Sequence, residues 1–365
     1  MSSAINELTY RDKKLIFSDT VPSGKIGWQS PSNIALVKYW GKMPVQVPRN
    51  PSLSFTLSKS NTKTRIEYTS ASGRDMKVDF YLNDQPNPEF GLKTKAFFES
   101  ISDIFPFIRQ LDFKIYSENT FPHSAGIASS ASGMSALALT LCDLERTHFG
   151  NLTEDADFYR KASYVARLGS GSACRSVYGG LVDWGKSKVL ANSSDLYGIP
   201  VGDQVNEVFL TYQDTVLLVN AEQKKVSSRA GHSLMNNNPF APERFQQAQR
   251  HIGELLEAMK AGDLETFIKI TESEALTLHA MMMTSQPYYL LMKANTLQII
   301  ERIFAFRDET NIPVSFTLDA GPNVHLLYPF SEKEKVMQWI KSELREFLSP
   351  LGFIDDEVGK GPVKL

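Results

Sequence analysis

The order of strand-like and helix-like segments constrains the fold of this chain more than any other feature. The first half opens with short runs of β-branched and aromatic residues bounded by Gly, Pro or Asn, at 33–39, 54–57, 64–68 and 76–82. Segments with apolar residues every three to four positions come only later, at 92–107, 129–149 and 155–168. A further strand is predicted at 111–116. Such segregation of strands and helices, without strict alternation, predicts an α+β class.

The second half repeats this arrangement. A buried strand is predicted at 215–220, followed by helices at 242–259, 264–283 and 288–306, a strand at 314–318 and a helix near 332–348. At 365 residues, the chain exceeds the usual size of one compact core, so two lobes are expected. The polar stretch 184–208 is the expected junction. We therefore predict an N-terminal lobe at 1–207 and a C-terminal lobe at 208–365.

Composition excludes several classes of protein. The 42 % hydrophobic and 22 % charged fractions are ordinary for a globular protein, and 39 basic against 41 acidic residues give a net charge of −2. We therefore expect no nucleic-acid partner and no membrane partner. The N-terminus lacks the pattern of a signal peptide. With only Cys142 and Cys174, neither a disulfide framework nor a cysteine metal cluster is expected, and the expected location is the cytoplasm.

Residues 169–176, with the sequence GSGSACRS, combine very small residues with one arginine. Small residues let backbone N–H groups approach a ligand closely, and a guanidinium binds a carboxylate or phosphate through two parallel hydrogen bonds. The run therefore predicts an anion-binding loop outside the hydrophobic core. The alternative is a plain connecting loop. We do not expect Cys174 to be a catalytic thiol, because no histidine neighbours it in the sequence.

A second small-residue run, FPHSAGIASSASG at 121–133, lies between a predicted strand and the helical pattern that continues to 149. The positive end of a helix dipole, exposed amides and the hydroxyl groups of Ser129, Ser130 and Ser132 suit phosphate oxygens or a metal ion. The run matches neither a Walker loop nor a Rossmann fingerprint. A serine-capped helix without a ligand is the alternative.

Three shorter features carry charge at predicted strand ends. Asp319 follows the strand at 314–318 and is either a turn residue or a carboxylate that orients a hydroxyl group. Lys38 and Lys42 bracket aromatic residues at the end of the first strand, and a solvated strand edge is the alternative there. The sequence Ser227-Ser228-Arg229 combines hydroxyl groups with a guanidinium as the run at 169–176 does.

Taken together, these segments resemble the GHMP small-molecule kinases. Residues 122–133 are similar to the Pro-x3-Gly-Leu-Gly/Ala-Ser-Ser phosphate loop of that superfamily. The segments at 33–42, 50–54, 169–176, 227–229 and 319–323 are similar to motifs of its decarboxylating branch, the diphosphomevalonate decarboxylases, and occur in the same order. Several ordered matches between about residue 28 and residue 330 are far more specific than any single loop.

The resemblance implies a reaction of the mevalonate pathway of isoprenoid biosynthesis. ATP and Mg²⁺ would phosphorylate the C3 hydroxyl of mevalonate 5-diphosphate, and loss of phosphate and CO₂ would yield isopentenyl diphosphate. Carried over by position, the catalytic residues would be Asp319, Lys38 and Arg175, with Arg175 on the substrate carboxylate. The substrate-binding residues would be Tyr39, Trp40, Gly41, Lys42, Ser170, Gly171, Ser172, Ala173, Cys174, Arg175, Ser228 and Arg229. The nucleotide-binding residues would be Pro122, Ser124, Ala125, Gly126, Ala128, Ser129, Ser130, Ser132 and Gly133, with Ser130 also at the metal.

The resemblance further implies a two-lobed α+β fold, with an N-terminal lobe like domain 2 of ribosomal protein S5 and a ferredoxin-like C-terminal lobe. It also implies a homodimer. Two alternatives stay open at this point. One is a related kinase or decarboxylase that acts on mevalonate or its monophosphate, and the other is a catalytically silent ligand-binding protein on the same scaffold.

Overall fold

The structure is a computed structural model that describes residues 10–122, 127–220 and 228–365, with only the backbone described at 228–230. Its strands in chain order are β1 Gly24–Val37, β2 Lys42–Met43, β3 Val47–Pro48, β4 Ser52–Ser70, β5 Val78–Leu82, β6 Gln85–Pro86, β7 Leu111–Asn119, β8 Leu181–Trp184, β9 Ile199–Pro200, β10 Gln213–Leu217, β11 Ser315–Leu318, β12 Val324–Tyr328, β13 Phe353–Glu357 and β14 Val363–Lys364. Its α-helices are α1 Pro88–Ser100, α2 Ser129–Phe149, α3 Asp155–Gly169, α4 Ser228–Leu234, α5 Ala241–Ala261, α6 Leu264–Met283, α7 Ala294–Thr310 and α8 Lys333–Trp339.

The predicted α+β class and two-lobed arrangement are confirmed. The first lobe is built on a sheet with the order β14-β1-β4-β7-β5-β6, to which β8 and β9 add beside β4. All its pairs are antiparallel except the parallel pair of β5 with β7. The second lobe contains an antiparallel sheet with the order β11-β12-β10-β13. The chain returns at its end to the first lobe, because β14 pairs with β1.

Two helices end or begin where the sequence predicts because local signals are strong. Helix α2 runs from Ser129 to Phe149, and Gly150 ends it in the left-handed conformation with φ 68°. Helix α6 begins after Asp263, whose side chain accepts a hydrogen bond from the Thr266 amide and so caps the first turn.

Other boundaries differ from the prediction. The strands predicted at 54–57 and 64–68 form one strand, β4, because the polar residues between them lie at the sheet and pair with β1 and β7. Asn87 caps α1 earlier than predicted, and a separate 3₁₀ turn, Pro106–Gln110, follows the helix. Helix α7 begins only at Ala294. The last predicted helix is α-helical to Trp339 and then continues as a π turn and a 3₁₀ turn.

Apolar packing joins the two lobes. One cluster fills the space between the first sheet and helices α2 and α3. A second cluster brings Leu36 and Phe55 of the first sheet together with Val216 of the second sheet and with Ile252 and Phe267 of the helices α5 and α6. A third lies between the second sheet and helices α7 and α8. Because the shared cluster is fully buried, the strand ends of both lobes are held facing each other. No helix among the described residues is long and apolar enough to span a membrane.

Candidate active site

The ends of β1 and β11 bring together two charged residues that lie 281 positions apart in the sequence. The Lys38 side chain is 2 % exposed, and its Nζ lies 3.4 Å from Oδ1 of Asp319, whose side chain is 28 % exposed. Burial lowers the pKa of Lys38, and the charge of Asp319 opposes this effect. Asp319 stands at the strand end predicted for it. The pair thus places a partly accessible carboxylate against a buried cation.

Buried polar groups hold the main chain of Lys38 in place. Its N–H donates to Oε2 of Glu274 at 2.8 Å, and its carbonyl accepts from Asn50 Nδ2 at 2.9 Å and from Arg244 Nη2 at 3.1 Å. Glu274 also pairs with Arg244 at 2.5 Å. The Lys38 backbone is therefore fixed on both sides, and Glu274 and Arg244 are residues that motif comparison did not single out.

Arg175 is 2 % exposed, and within the described part of the chain its guanidinium is held only by neutral groups. Nη1 donates to Oγ of Ser52 at 2.5 Å, while Nε and Nη2 donate to Oδ1 of Asn33 at 3.3 Å. The guanidinium also lies over the Trp184 ring, 5.6 Å from its centroid. Burial lowers its pKa, with Asp319 among the groups that oppose this. A buried cation without a bound carboxylate is costly unless a ligand supplies the anion.

The prediction that residues 169–176 lie outside the core is wrong. Residues Gly171–Cys174 form a 3₁₀ turn, and Ala173, Cys174 and Ser176 are fully buried. The small side chains allow close packing, since a Cβ on Gly171 would lie 2.8 Å from the Trp184 ring and 2.9 Å from the Tyr39 hydroxyl. Gly171, Ala173 and Cys174 therefore shape the wall of the site, whereas Ser170 and Ser172 remain partly accessible.

Cys174 is not a reactive thiol. It is 0 % exposed, and burial raises its pKa to about 12. The thiolate is therefore scarce at neutral pH. Its backbone carbonyl accepts a hydrogen bond from the Ser163 hydroxyl at 2.8 Å, which anchors the turn to α3.

The two small-residue runs meet in space. The exposed hydroxyl of Ser130, in the first turn of α2, lies 3.5 Å from the hydroxyl of Ser170, at the end of α3. Ala128 precedes α2 in a left-handed conformation with φ 40°, and no side chain among the described residues caps the helix. The Ala131 N–H donates to the Ala128 carbonyl at 2.8 Å, whereas the N–H groups of Ser129 and Ser130, at the start of the helix, are suited to donate to an anion.

Not all of the residues predicted to bind the nucleotide lie beside Ser130 and Ser170. The Ser132 hydroxyl is buried and lies 2.6 Å from the Thr62 hydroxyl rather than beside Ser130, and its contact with phosphate stays a prediction. Gly133 and Ser129 are partly exposed, as is Pro122. Ser124, Ala125 and Gly126 lie outside the described residues.

The segment after Lys38 lines the same site. Tyr39 is 9 % exposed and Trp40 is 4 % exposed, and neither the Tyr39 hydroxyl nor the Trp40 indole N–H has a hydrogen-bond partner among the described residues. Gly41 has φ +93°, a conformation that favours glycine. Lys42 Nζ donates to Oε1 of Gln46 at 2.9 Å. Ser228 and Arg229 open helix α4, whose later residues contact this segment, but their side chains lie outside the description.

Two buried residues near this segment carry no motif signal. His232, on α4, accepts a hydrogen bond from the Gly41 N–H at 3.0 Å. Asp183, on β8, is 0 % exposed, and neither of its carboxylate oxygens has a partner among the described residues. Burial raises the pKa of Asp183 to about 8, an effect that Arg175 partly offsets. Both residues reach the site only through the tertiary fold.

The donor set fits nucleotide phosphates and a magnesium ion that those phosphates carry. Within the described residues there is no group of three His, Cys, Asp or Glu side chains that could hold a metal. Mg²⁺ at phosphoryl-transfer sites usually binds one or two protein oxygens together with phosphates and water, and the Ser130 hydroxyl at an uncapped helix start is suited to that role.

Comparison with known proteins agrees with this geometry. The family model "Diphosphomevalonate decarboxylase-like N-terminal domain" matches residues 30–195. The model "Mevalonate 5-diphosphate decarboxylase C-terminal domain" matches residues 215–351. The diphosphomevalonate decarboxylase of Eremothecium gossypii is 32 % identical over 323 residues, covering 84 % of this chain and 77 % of that protein. That of Saccharomyces cerevisiae is 30 % identical over 329 residues, covering 85 % and 79 %.

Solved structures show the same similarity. Mevalonate diphosphate decarboxylase from Staphylococcus aureus superposes with a TM-score of 0.80 at 26 % identity, covering 94 % of this chain and 98 % of that one. The structure described as MDDEF in complex with MVAPP, AMPPCP and magnesium has a TM-score of 0.78 at 28 % identity, covering 94 % and 99 %. Because both family models match, and together span most of the sequence, this chain belongs to the diphosphomevalonate decarboxylase family.

Proposed function

We propose that this protein catalyses the ATP-dependent decarboxylation of mevalonate 5-diphosphate to isopentenyl diphosphate, with release of ADP, phosphate and CO₂. The observation that carries the proposal is the buried guanidinium of Arg175, which forms no hydrogen bond to a carboxylate among the described residues, in the same site as the Lys38–Asp319 pair. A kinase needs only the Lys38–Asp319 pair. Arg175 supplies a cation for the carboxylate that leaves as CO₂.

The reaction makes two demands on the protein. A tertiary hydroxyl is a poor leaving group, and the phosphoryl group of ATP, with Mg²⁺ balancing its charge, converts that hydroxyl into a better one. The electron-poor carbon formed as the phosphate departs then favours loss of the neighbouring carboxylate. The protein contributes mainly by positioning and by charge stabilisation.

Asp319 and Lys38 would act at the C3 hydroxyl. The partly exposed carboxylate of Asp319 can accept the proton of that hydroxyl, either as a base or as an orienting acceptor. Lys38, held by Glu274, Asn50 and Arg244, keeps the carboxylate in place and offsets charge on the transferring group. Asp319 touches the reacting oxygen in this scheme, whereas Glu274 acts through Lys38.

Arg175 would grip the substrate carboxylate through its planar fork. Asn33 and Ser52 hold the guanidinium without neutralising it. At the other end of the substrate, Lys42, Ser170, Ser172, Ser228 and Arg229 would bind the diphosphate. The buried rings of Tyr39 and Trp40 would exclude water between the two ends.

The nucleotide would bind at the start of α2, with its phosphates at the first-turn amides and the hydroxyls of Ser129 and Ser130. The approach of Ser130 to Ser170 supports this placement, because phosphoryl transfer requires donor and acceptor sites to adjoin. Ser130 would also contact Mg²⁺.

Three further properties belong to the same proposal. The chain would divide into lobes at about residues 207 and 208, with its last strand returning to the first lobe. The protein would work in the cytoplasm, and it would form a homodimer. Size-exclusion chromatography with light scattering tests the last of these, and a monomer at working concentration would contradict it.

The direct test is incubation with ATP, Mg²⁺ and either mevalonate 5-diphosphate or mevalonate 5-phosphate, with ADP and CO₂ measured together. We expect equal amounts of ADP and CO₂ with the diphosphate. ADP without CO₂ would indicate a kinase, and neither product would indicate a silent binding protein. CO₂ with the monophosphate alone would reassign the substrate.

A further inference from the structure

The imidazole ring of His232 packs against the rings of Tyr39 and Trp40 in the candidate site. It is 7 % exposed, and its ring centroid lies 4.3 Å from that of Tyr39 and 4.6 Å from that of Trp40. The preceding residue is Gly231, where a Cβ would lie 2.4 Å from the Trp40 ring. Only a glycine beside the histidine allows α4 to approach Trp40 this closely.

The hydrogen bond from Gly41 determines the form of the imidazole. Nδ1 of His232 accepts from the Gly41 N–H at 3.0 Å, so this nitrogen carries no proton and the other, Nε2, carries the single proton. Burial, together with the charges of Lys42 and Arg175, lowers the pKa of His232 to about 3. The ring is thus a neutral acceptor toward Gly41 at physiological pH, and it is unsuited to proton transfer.

The backbone conformation of Gly41 sets the direction in which the chain continues to Lys42. Its N–H is held by His232, and its carbonyl accepts from the Arg49 N–H at 3.2 Å. Its φ of +93° lies in a region that other residues rarely adopt. Because hydrogen bonds hold the peptide groups on both sides of the Gly41 Cα, the chain is directed from the buried Trp40 to the partly exposed Lys42.

We propose that His232 is a positioning residue, which fixes the Tyr39–Lys42 segment through the Gly41 amide so that the segment is preorganised for the anionic end of the substrate. This inference deepens the proposed function and rests on it for the identity of the substrate. Preorganisation of this segment reduces the conformational entropy that would otherwise be lost when the substrate binds. His232 acts through Gly41 and its ring neighbours, so the expected effect falls on substrate affinity more than on the chemical step.

Two variants separate the ring from the acceptor. His232→Phe keeps an aromatic ring between Tyr39 and Trp40 but cannot accept from Gly41. His232→Asn removes the ring but can place a carbonyl oxygen near the position of Nδ1. We expect His232→Phe to raise the Kd and the KM for mevalonate 5-diphosphate about tenfold, with kcat within about threefold of wild type. We expect His232→Asn to stay within about threefold of wild type in all three quantities.

The experiment measures binding by calorimetry, turnover by coupled ADP release, and folding by circular dichroism melting of the full chain. Unchanged binding in His232→Phe would overturn the inference. Equal loss of binding in both variants would also overturn it, since ring packing alone would then explain the effect. A fall in kcat at unchanged KM would move His232 from positioning to the chemical step and would contradict the proposal as stated.

A readout without substrate keeps the inference separate from the proposed function. Hydrogen exchange of the peptide that covers residues 38–43 reports the Gly41 hydrogen bond directly. We expect faster exchange there in His232→Phe than in wild type or His232→Asn, whether or not the wild-type protein releases CO₂. Equal exchange in all three proteins would refute the positioning role. Absence of CO₂ release by the wild type would refute the proposed function alone.

Discussion

Two buried arginines in this molecule have opposite surroundings. Arg244, with its side chain 1 % exposed, pairs with the fully buried carboxylate of Glu274 at 2.5 Å and donates to the Lys38 carbonyl. Arg175, 2 % exposed, donates hydrogen bonds within the described part of the chain only to the hydroxyl of Ser52 and the amide oxygen of Asn33, and it lies over the Trp184 ring. The first charge is neutralised by the fold. The second forms no hydrogen bond to a carboxylate among the described residues, and only the charges of nearby groups such as Asp319 and Asp183 act on it.

The difference teaches how the same side chain serves structure in one place and binding in another. A buried guanidinium that is paired with a carboxylate of the protein contributes to stability together with that carboxylate. Removal of either group leaves the other as an unpaired buried charge. A guanidinium held by neutral acceptors is oriented but keeps its charge, so an incoming carboxylate gains a strong, charge-assisted hydrogen bond. Changes around Arg175 should therefore affect turnover, and changes around Arg244 should affect stability.

The largest effect on turnover is expected at Asp319. We expect Asp319→Asn to lower kcat about 1,000-fold, because an amide can neither accept a proton nor balance Lys38 as a carboxylate does. ATP binding should stay near that of wild type, and the melting temperature should fall less than in Glu274→Gln, because the Asp319 side chain is 28 % exposed whereas that of Glu274 is fully buried. Turnover close to wild type would remove Asp319 from the chemistry.

The next effect concerns stability. We expect Glu274→Gln to lower the free energy of unfolding by about 3 kcal/mol, because Arg244 would be left as a buried cation without its carboxylate. Urea denaturation measures this, and the double variant Arg244→Met/Glu274→Leu should recover part of the loss, because it removes both charges although it also removes two hydrogen bonds to the Lys38 backbone. If the single and double variants are equally unstable, the pairing of charges is not what Glu274 contributes.

At Arg175 we expect a large effect on turnover and a small effect on stability, the reverse of Glu274. We expect Arg175→Lys to lower kcat/KM about 100-fold, because an ammonium group cannot reproduce the planar fork on a carboxylate. Its urea midpoint should lie near that of wild type, since the replaced hydrogen bonds go to neutral groups. Unchanged kcat/KM would refute carboxylate recognition at this position, and a large fall in stability would erase its contrast with Arg244.

Asp183 provides the smallest test, through pH. Burial raises its pKa to about 8 from 3.8, so between these values the folded protein binds more protons at this group than the unfolded chain does. The contribution of Asp183 to the free energy of unfolding therefore falls as the pH rises from about 4 to about 8, because the carboxyl group ionises more readily in the unfolded chain.

The variant Asp183→Asn lacks this titration. We expect its stability relative to wild type to increase by about 2 kcal/mol between pH 5 and pH 7, as measured by urea denaturation at each pH. A constant difference across this range would mean that the charge of Arg175, which opposes the effect of burial on Asp183 without a hydrogen bond, keeps the carboxylate ionised in the folded protein.

Local patterns predicted some parts of the molecule well. Helices α2 and α6 follow the predicted 129–149 and 264–283, because apolar periodicity and end signals such as Gly150 and Asp263 act within a few residues. Strand β4 was predicted as two pieces, since its polar middle is stabilised by neighbours on both sides that are distant in the sequence. The prediction that residues 169–176 lie outside the core is wrong, because small polar residues also suit close packing against Tyr39 and Trp184.

The sequence by itself determined the class of the fold and the family, and it pointed to Lys38, Arg175 and Asp319 as charged groups of the proposed site. These depend on residue type and order, which are properties of the chain before it folds. Only the tertiary structure decided that Lys38 meets Asp319 across two sheets and that Arg175 is buried without a carboxylate partner among the described residues. It also decided that His232 holds Gly41. Such contacts depend on how distant segments pack, and burial sets how much each charge matters.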